Sequence, residues 1–234
     1  MIIGNANTGM MVTPAIPASA VFRGVITPYV HNSAYVTWTN APIGTASDTR
    51  WVVFFVHTES NFGGYQPSTW TATIGGITAT KLLERITNYG SCAAFIAKVP
   101  TGTTATCQAY GNAGGLGYCN GNVWTVHDLL SATPYFSSNA TASDTNVIST
   151  TFNAKKDGVV LTSSGGRTNT PSSATWSGTG GLVEQFDNYG GTSNTVITSG
   201  AMKQFTADAT GTGATVTFAN SFYGIGDLMT LSFR

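Results

Sequence analysis

The segment Leu82-Leu83-Glu84-Arg85-Ile86-Thr87-Asn88-Tyr89-Gly90 returns as Leu182-Val183-Glu184-Gln185-Phe186-Asp187-Asn188-Tyr189-Gly190, with Leu, Glu, Asn, Tyr and Gly unchanged. Its neighbours return in the same order. Pro67-Ser68-Thr69-Trp70 precedes the first copy and Pro171-Ser172-Ser173-Ala174-Thr175-Trp176 the second. Thr101-Gly102-Thr103-Thr104-Ala105-Thr106 and Thr210-Gly211-Thr212-Gly213-Ala214-Thr215 follow them. A match that carries its flanks with it marks two diverged copies of one supersecondary unit, roughly residues 50–130 and 156–234. Such a period describes architecture before it describes chemistry.

The residues around the repeat are strand formers. Thr occurs 38 times, and Thr, Val, Ile and aromatic residues suit a pleated surface, while Gly, Asn, Ser and Pro suit turns. Arg50-Trp51-Val52-Val53-Phe54-Phe55-Val56 is apolar on both faces, so it belongs in the middle of the protein, and Gly158-Val159-Val160-Leu161 is its counterpart. Trp70, Ala72 and Ile74 alternate with polar residues. Gly75-Gly76 then supplies a turn, and Ile77-Thr78-Ala79-Thr80 returns. Ala93, Phe95, Ala97 and Val99 alternate up to Pro100-Thr101-Gly102-Thr103, and Ala105, Cys107 and Ala109 alternate back, the pattern of a hairpin. Leu82–Tyr89 reads as a strand or irregular edge, and Asn88-Tyr89-Gly90 and Asn188-Tyr189-Gly190 read as turns.

The expected fold is all-β: a two-sheet antiparallel β-sandwich of jelly-roll type over residues 49–234, its repeats related by a pseudo-two-fold. The predicted core holds Val53, Phe55, Phe95, Trp124, Val160, Val216 and Leu231. Residues 1–48 show no copy of the repeat and are punctuated by Pro14, Pro17, Pro28 and Pro42, which excludes a continuous helix. They form either edge strands of the same domain or an extended N-terminal arm. On the arm reading, Met10, Met11, Ile16 and Phe22 are the apolar anchors for a partner.

Composition narrows function. Only 9% of residues are charged, against about 25% in an average domain, and acidic and basic residues cancel. No basic face exists for nucleic acid. With 41% hydrophobic and 11% aromatic residues the chain can offset its ordering entropy by burial, which excludes disorder. No run approaches the ~18 apolar residues of a membrane helix, so no membrane partner is expected. No signal peptide is read at the N-terminus, so the protein is expected to be made in a cytoplasm.

Few residues of the chain stand in patterns that carry chemistry. Cys92, Cys107 and Cys119 make no disulfide framework, although Cys92 and Cys107 flank the predicted hairpin and could face each other. His31, His57 and His127 share no metal-ligand spacing, and no cofactor motif is present. Glu84 and Glu184 stand at equivalent positions of the repeat, and a pseudo-two-fold could join them as an acid/base pair. Beside turns, carboxylates more commonly cap backbone amides. Trp70 and Trp176 recur at matched positions, as core residues of a duplicated fold do. Tyr65, Tyr89 and Tyr189 lie in polar stretches and could stack on sugar rings.

The order of parts resembles the virion structural proteins of tailed bacteriophages. The resemblance rests on Arg50–His57, Thr-Ile-Gly-Gly-Ile-Thr-Ala-Thr (Thr73–Thr80), Ala94–Gly102 and Val-Trp-Thr-Val (Val123–Val126). It covers roughly residues 50–234 and implies a head decoration, head spike or tail fibre module without catalytic residues. The resemblance implies a virion location; expected beside it are contacts to capsid or tail proteins through the N-terminal arm, which has no counterpart in that family, and a symmetric homo-oligomer such as a trimer. The alternative expectation is a lectin-like tail protein that recognises a carbohydrate receptor through Tyr65, Tyr89 and Tyr189.

Overall fold

The structure is a computed structural model and describes residues 16–26, 34–59, 67–112, 116–168, 173–190, 195–222 and 224–234. Every regular element among them is a strand, and all pairing is antiparallel. The β-sandwich expected from the sequence is present, but it is built from four sheets rather than two.

The first unit has an inner sheet of β1 (Ser19–Val25), β9 (Tyr118–His127), β3 (Trp51–Glu59), β7 (Gly90–Lys98) and β6 (Thr80–Ile86), in that spatial order. Its outer sheet runs β2 (Tyr35–Pro42), β8 (Thr104–Gly111), β4 (Trp70–Ile74), β5 (Ile77–Thr78). The second unit repeats this plan. Its inner sheet is β10 (Phe136–Ser143), β17 (Ile225–Phe233), β12 (Val159–Thr168), β15 (Thr195–Gln204), β14 (Val183–Gly190), and its outer sheet is β11 (Val147–Ala154), β16 (Ala209–Phe218), β13 (Ala174–Ser177). The first four strands of each unit alternate between its two sheets, and its last strand returns to the inner sheet beside its first, which is jelly-roll winding. The jelly roll is therefore one copy of the repeat, and the chain holds two.

This corrects the repeat boundaries. β1 and β2 occupy the places that β10 and β11 occupy in the second unit, so the copies begin near residues 19 and 136, not 50 and 156. Of the first 48 residues, the described ones form strands at sheet edges: β1 pairs with β9 and β2 with β8.

The inner sheets pack against each other, making four layers with three interiors. β3 shows why the sequence looks as it does. Val52, Phe54 and Val56 face the first unit's own core, together with Phe95 and Trp70. Val53 and Phe55, with Trp124 of their own sheet, face the other unit, where Leu161, Met229, Leu231 and Phe233 join the same cluster. Val160 and Val216 lie between the sheets of the second unit. The seven predicted core residues are all buried, but in three separate interiors. Across the central interior β3 meets β12, β7 meets β17 and β9 meets β15. Those contacts are reciprocal between equivalent strands, as a pseudo-two-fold requires.

Local features agree with the residues that make them. Gly75 and Gly76 both have positive φ, the backbone of a two-residue hairpin turn, and they join β4 to β5. Arg50 is fully buried without a carboxylate. Its guanidinium donates instead to the carbonyls of Val99, Ile43, Gly44, Thr45, Thr101 and Gly102, tying two loops to the start of β3. The segment 92–110 is not a hairpin: β7 and β8 lie in opposite sheets, and so do β15 and β16. Alternation shows that two strands each bury one face, not that they pair. Cys92 and Cys107 consequently sit in different interiors, and all three cysteines are free and buried.

Candidate functional site

The central interior is not wholly apolar. His57 on β3 of the first unit reaches between β12 and β17 of the second, with Nδ1 2.5 Å from Asp227 Oδ1 and Nε2 2.6 Å from Ser163 Oγ. A carboxylate only accepts, so Nδ1 donates to Asp227, while Nε2 and the serine hydroxyl share the second bond. Asn122 Nδ2 donates to the same Oγ at 2.7 Å, and Trp124 Nε1 donates to Asn122 Oδ1 at 2.7 Å. The result is one connected chain, Trp124 to Asn122 to Ser163 to His57 to Asp227, that crosses between the units. Cooperative chains of this kind are worth more than isolated bonds in a low-dielectric interior.

Serine, histidine and aspartate in this order are the parts of an activated nucleophile. Access decides what they can do. Ser163 has 0% exposure and His57 1%. The cleft that touches Asp227 is lined by Arg85, Thr87, Ser91, Cys92, Thr141 and Ile225, and it leaves no space for a water-sized body. In this position the group joins strands of the two jelly rolls and is sealed from solvent.

A second polar pair lies at one end of the same contact. Glu59 closes β3 and Arg167 stands near the end of β12, with Oε2 and Nε 3.9 Å apart and both side chains buried. Burial pushes the Glu59 carboxyl up to about 8, against the opposing pull of the Arg167 charge. Burial likewise raises the Cys92 thiol, beside Asp227, and takes Cys107 up to about 12, so neither is a nucleophile.

The residues singled out from the sequence fall elsewhere. Glu84 and Glu184 are not a pair. Strand β6 contacts β10 while β14 borders the opposite side of the stacked sheets, so the two carboxylates lie at opposite edges. Glu84 Oε2 instead accepts the backbone N–H of Trp70 and Oε1 pairs with Lys81. Trp70 and Trp176 are also two residues out of step. The bonds that close the outer sheets, Asn112 N to Thr69 O and Ala219 N to Ser173 O, match Trp70 with Ala174. Asn188-Tyr189-Gly190 is part of a strand, whereas Asn88-Tyr89-Gly90 is the turn expected.

Phe22 is not free to dock on a partner. Its ring stacks on Phe186 of the second unit at 4.3 Å and meets Trp124 edge-on at 5.2 Å. Ile16 is exposed, while Met10, Met11, Tyr65 and His31 lie outside the described residues. Tyr89 and Tyr189 are each about half exposed; neither lines the cleft beside Asp227 or the groove on the first unit's outer sheet. Among the described residues no group of His, Cys, Asp and Glu is placed to hold a metal. His57, Ser163 and Asp227 are invisible as a set in the sequence because no spacing links them. The available signal was a titratable residue, His57 or Asp227, inside each of two largely apolar strands, since a buried polar group requires a partner.

No family model matches the chain, and no curated protein matches it either. Among solved structures it is weakly similar to Cucumber Necrosis Virus, at 10% identity and a TM-score of 0.26, covering 93% of this chain and 96% of that one. An anti-sigma factor domain-containing protein is similar at 8% identity and a TM-score of 0.23, covering 84% and 78%. The CBM22-1-CBM22-2 tandem domain of Paenibacillus barcinonensis Xyn10C gives 8% identity and a TM-score of 0.26, covering 92% and 85%. At these scores the folds do not superimpose.

Proposed function

We propose that the protein is a non-enzymatic structural component of a bacteriophage particle, an accessory decoration, spike or fibre protein that docks on head or tail. The observation that carries this reading is the use of the Ser163, His57 and Asp227 cluster as a sealed joint. A nucleophile arrangement is spent there on locking two jelly rolls into a rigid block. Few charges and a Thr-rich surface suit a protein whose contacts are large and neutral. About 1,000 Å² or more of buried area would mark a specific contact of that kind. Particle proteins work by shape and repetition, so the block assembles as a symmetric homo-oligomer such as a trimer. Its docking depends little on salt, because few charges are there to be screened.

The test is reconstitution. Purified protein is mixed with particles that lack it, and bound copies are counted by mass spectrometry and electron microscopy at low and high salt. Stoichiometric, salt-insensitive binding in a symmetric array is the expected result. A monodisperse monomer that joins no particle overturns the reading.

A further inference from the structure

The exposed face of the first unit's outer sheet differs in kind from the matching face of the second. Antiparallel register lays two rows of side chains across it. One row is Tyr35, Tyr110 and Thr71; the other is Thr37, Gln108, Thr73 and Thr78. They alternate with the buried Val36, Ala72 and Ala109, so both rows point outward. The rings of Tyr35 and Tyr110 lie 4.9 Å apart with 46% and 38% of their surfaces exposed. Gln108 Nε2 donates to Thr37 Oγ1 at 2.9 Å, which fixes the amide in its row. Thr71, Thr73, Thr78, Gln108 and Tyr110 line a groove of about 230 Å³.

Charge and chemistry select the occupant. No lining residue is charged, so the complementary ligand is neutral. The volume lies below the ~300–1,000 Å³ of drug-sized pockets, which suits a short segment of a larger ligand. Aromatic rings beside hydroxyls and an amide complement a sugar ring, which has an apolar C–H face and a rim of hydroxyls. The second unit supplies an internal control. Its equivalent rows are Val147, Thr217, Thr175 and Ser149, Thr215, Ser177. A jelly roll of this kind folds without the tyrosine pair, so the fold does not account for it.

We propose that this face binds neutral carbohydrate, with a pyranose segment stacked on Tyr110 and Tyr35 and its hydroxyls met by Thr71, Thr73, Thr78 and Gln108. The site lies apart from Tyr89 and Tyr189, and it goes beyond the particle role without depending on it.

Native gel electrophoresis of the full chain through gels containing soluble galactomannan, xyloglucan, mixed-linkage β-glucan or pullulan tests the proposal, alongside an array of neutral and charged glycans. The expected result is retardation by at least one neutral polysaccharide. Tyr110→Ala and Tyr35→Ala should weaken it about tenfold or more at an unchanged melting temperature. Tyr110→Phe should retain most of it, and Thr217→Ala should have no effect. Should either alanine variant melt early, the half-buried Gln108→Ala gives the same reading. Four results would overturn the proposal: no neutral glycan bound, binding to charged glycans alone, binding indifferent to both tyrosines and Gln108, or self-association through this face without sugar.

Discussion

Glu84 and Asp187 perform the same task in the two jelly rolls. Glu84 Oε2 accepts the backbone N–H of Trp70 at 2.6 Å, and Asp187 Oδ2 accepts that of Ala174 at 2.7 Å, each at the entrance to a tryptophan-bearing strand. Strand register agrees, placing Glu84 opposite Ala93 and Asp187 opposite Ser199. The residue that the sequence repeat pairs with Glu84 is Glu184, three positions away, and it stands exposed on the strand edge.

Glu84→Ala should therefore cost about 1–3 kcal/mol, because it strips a charged acceptor from a strand-end amide. Glu184→Ala should stay within about 0.5 kcal/mol, as surface changes do. Urea denaturation of both variants measures the difference. Equal costs would mean that Glu184, not Asp187, is the counterpart.

His57→Ala removes the side chain that bridges Asp227 and Ser163 from the first unit, leaving Ser163 its bond from Asn122. It leaves the Asp227 carboxylate buried without its partner, a loss of about 3–5 kcal/mol. Asp227→Asn keeps an acceptor for Nδ1–H and should cost less. Calorimetry reads both, and a His57→Ala protein as stable as the parent would show that the chain of hydrogen bonds holds nothing together.

Stability should fall as pH rises toward 8. Burial raises the Glu59 carboxyl from an ordinary 4.5 to about 8, so the folded state keeps a proton that the unfolded chain releases between those values. The contribution is complete below 4.5 and is lost as pH climbs through the folded value, after which the curve flattens. Glu59→Gln should flatten the profile across that window and stabilise the protein at pH 8 by a few kcal/mol, because each tenfold change in proton affinity is worth about 1.4 kcal/mol. Melting temperatures from pH 4 to 9 test this, and an unchanged profile would contradict it.

Deleting residues 1–27 removes β1, and with it the Phe22 ring stacked on Phe186 and the Arg23 Nε–H bond to Thr125 Oγ1. The expected loss is roughly 3 kcal/mol or more, on the scale of a buried Phe truncation. Thermal melting followed by circular dichroism measures the loss, and a protein as stable without β1 as with it would contradict the prediction.

Local chemistry was legible without a structure. Alternating Trp70, Ala72 and Ile74, the Gly75-Gly76 turn, the all-β character and the duplication all follow from side-chain period and backbone freedom within a few residues. The continuous apolar run Trp51–Val56 also carried a true message, that both faces of β3 are covered. What covers them lay beyond the sequence. The outer face of β3 turned out to meet a second jelly roll, because only the folded chain brings β12 and β17 across from it. Insertions of a few residues between strands then shifted the two copies out of step, so residues that look equivalent in the repeat, Glu84 with Glu184 and Trp70 with Trp176, are not equivalent in space. The same distance in sequence hid His57, Ser163 and Asp227, which share no spacing and meet only through tertiary packing. It hid the Tyr35 and Tyr110 pair too, since antiparallel register alone sets those two rings side by side.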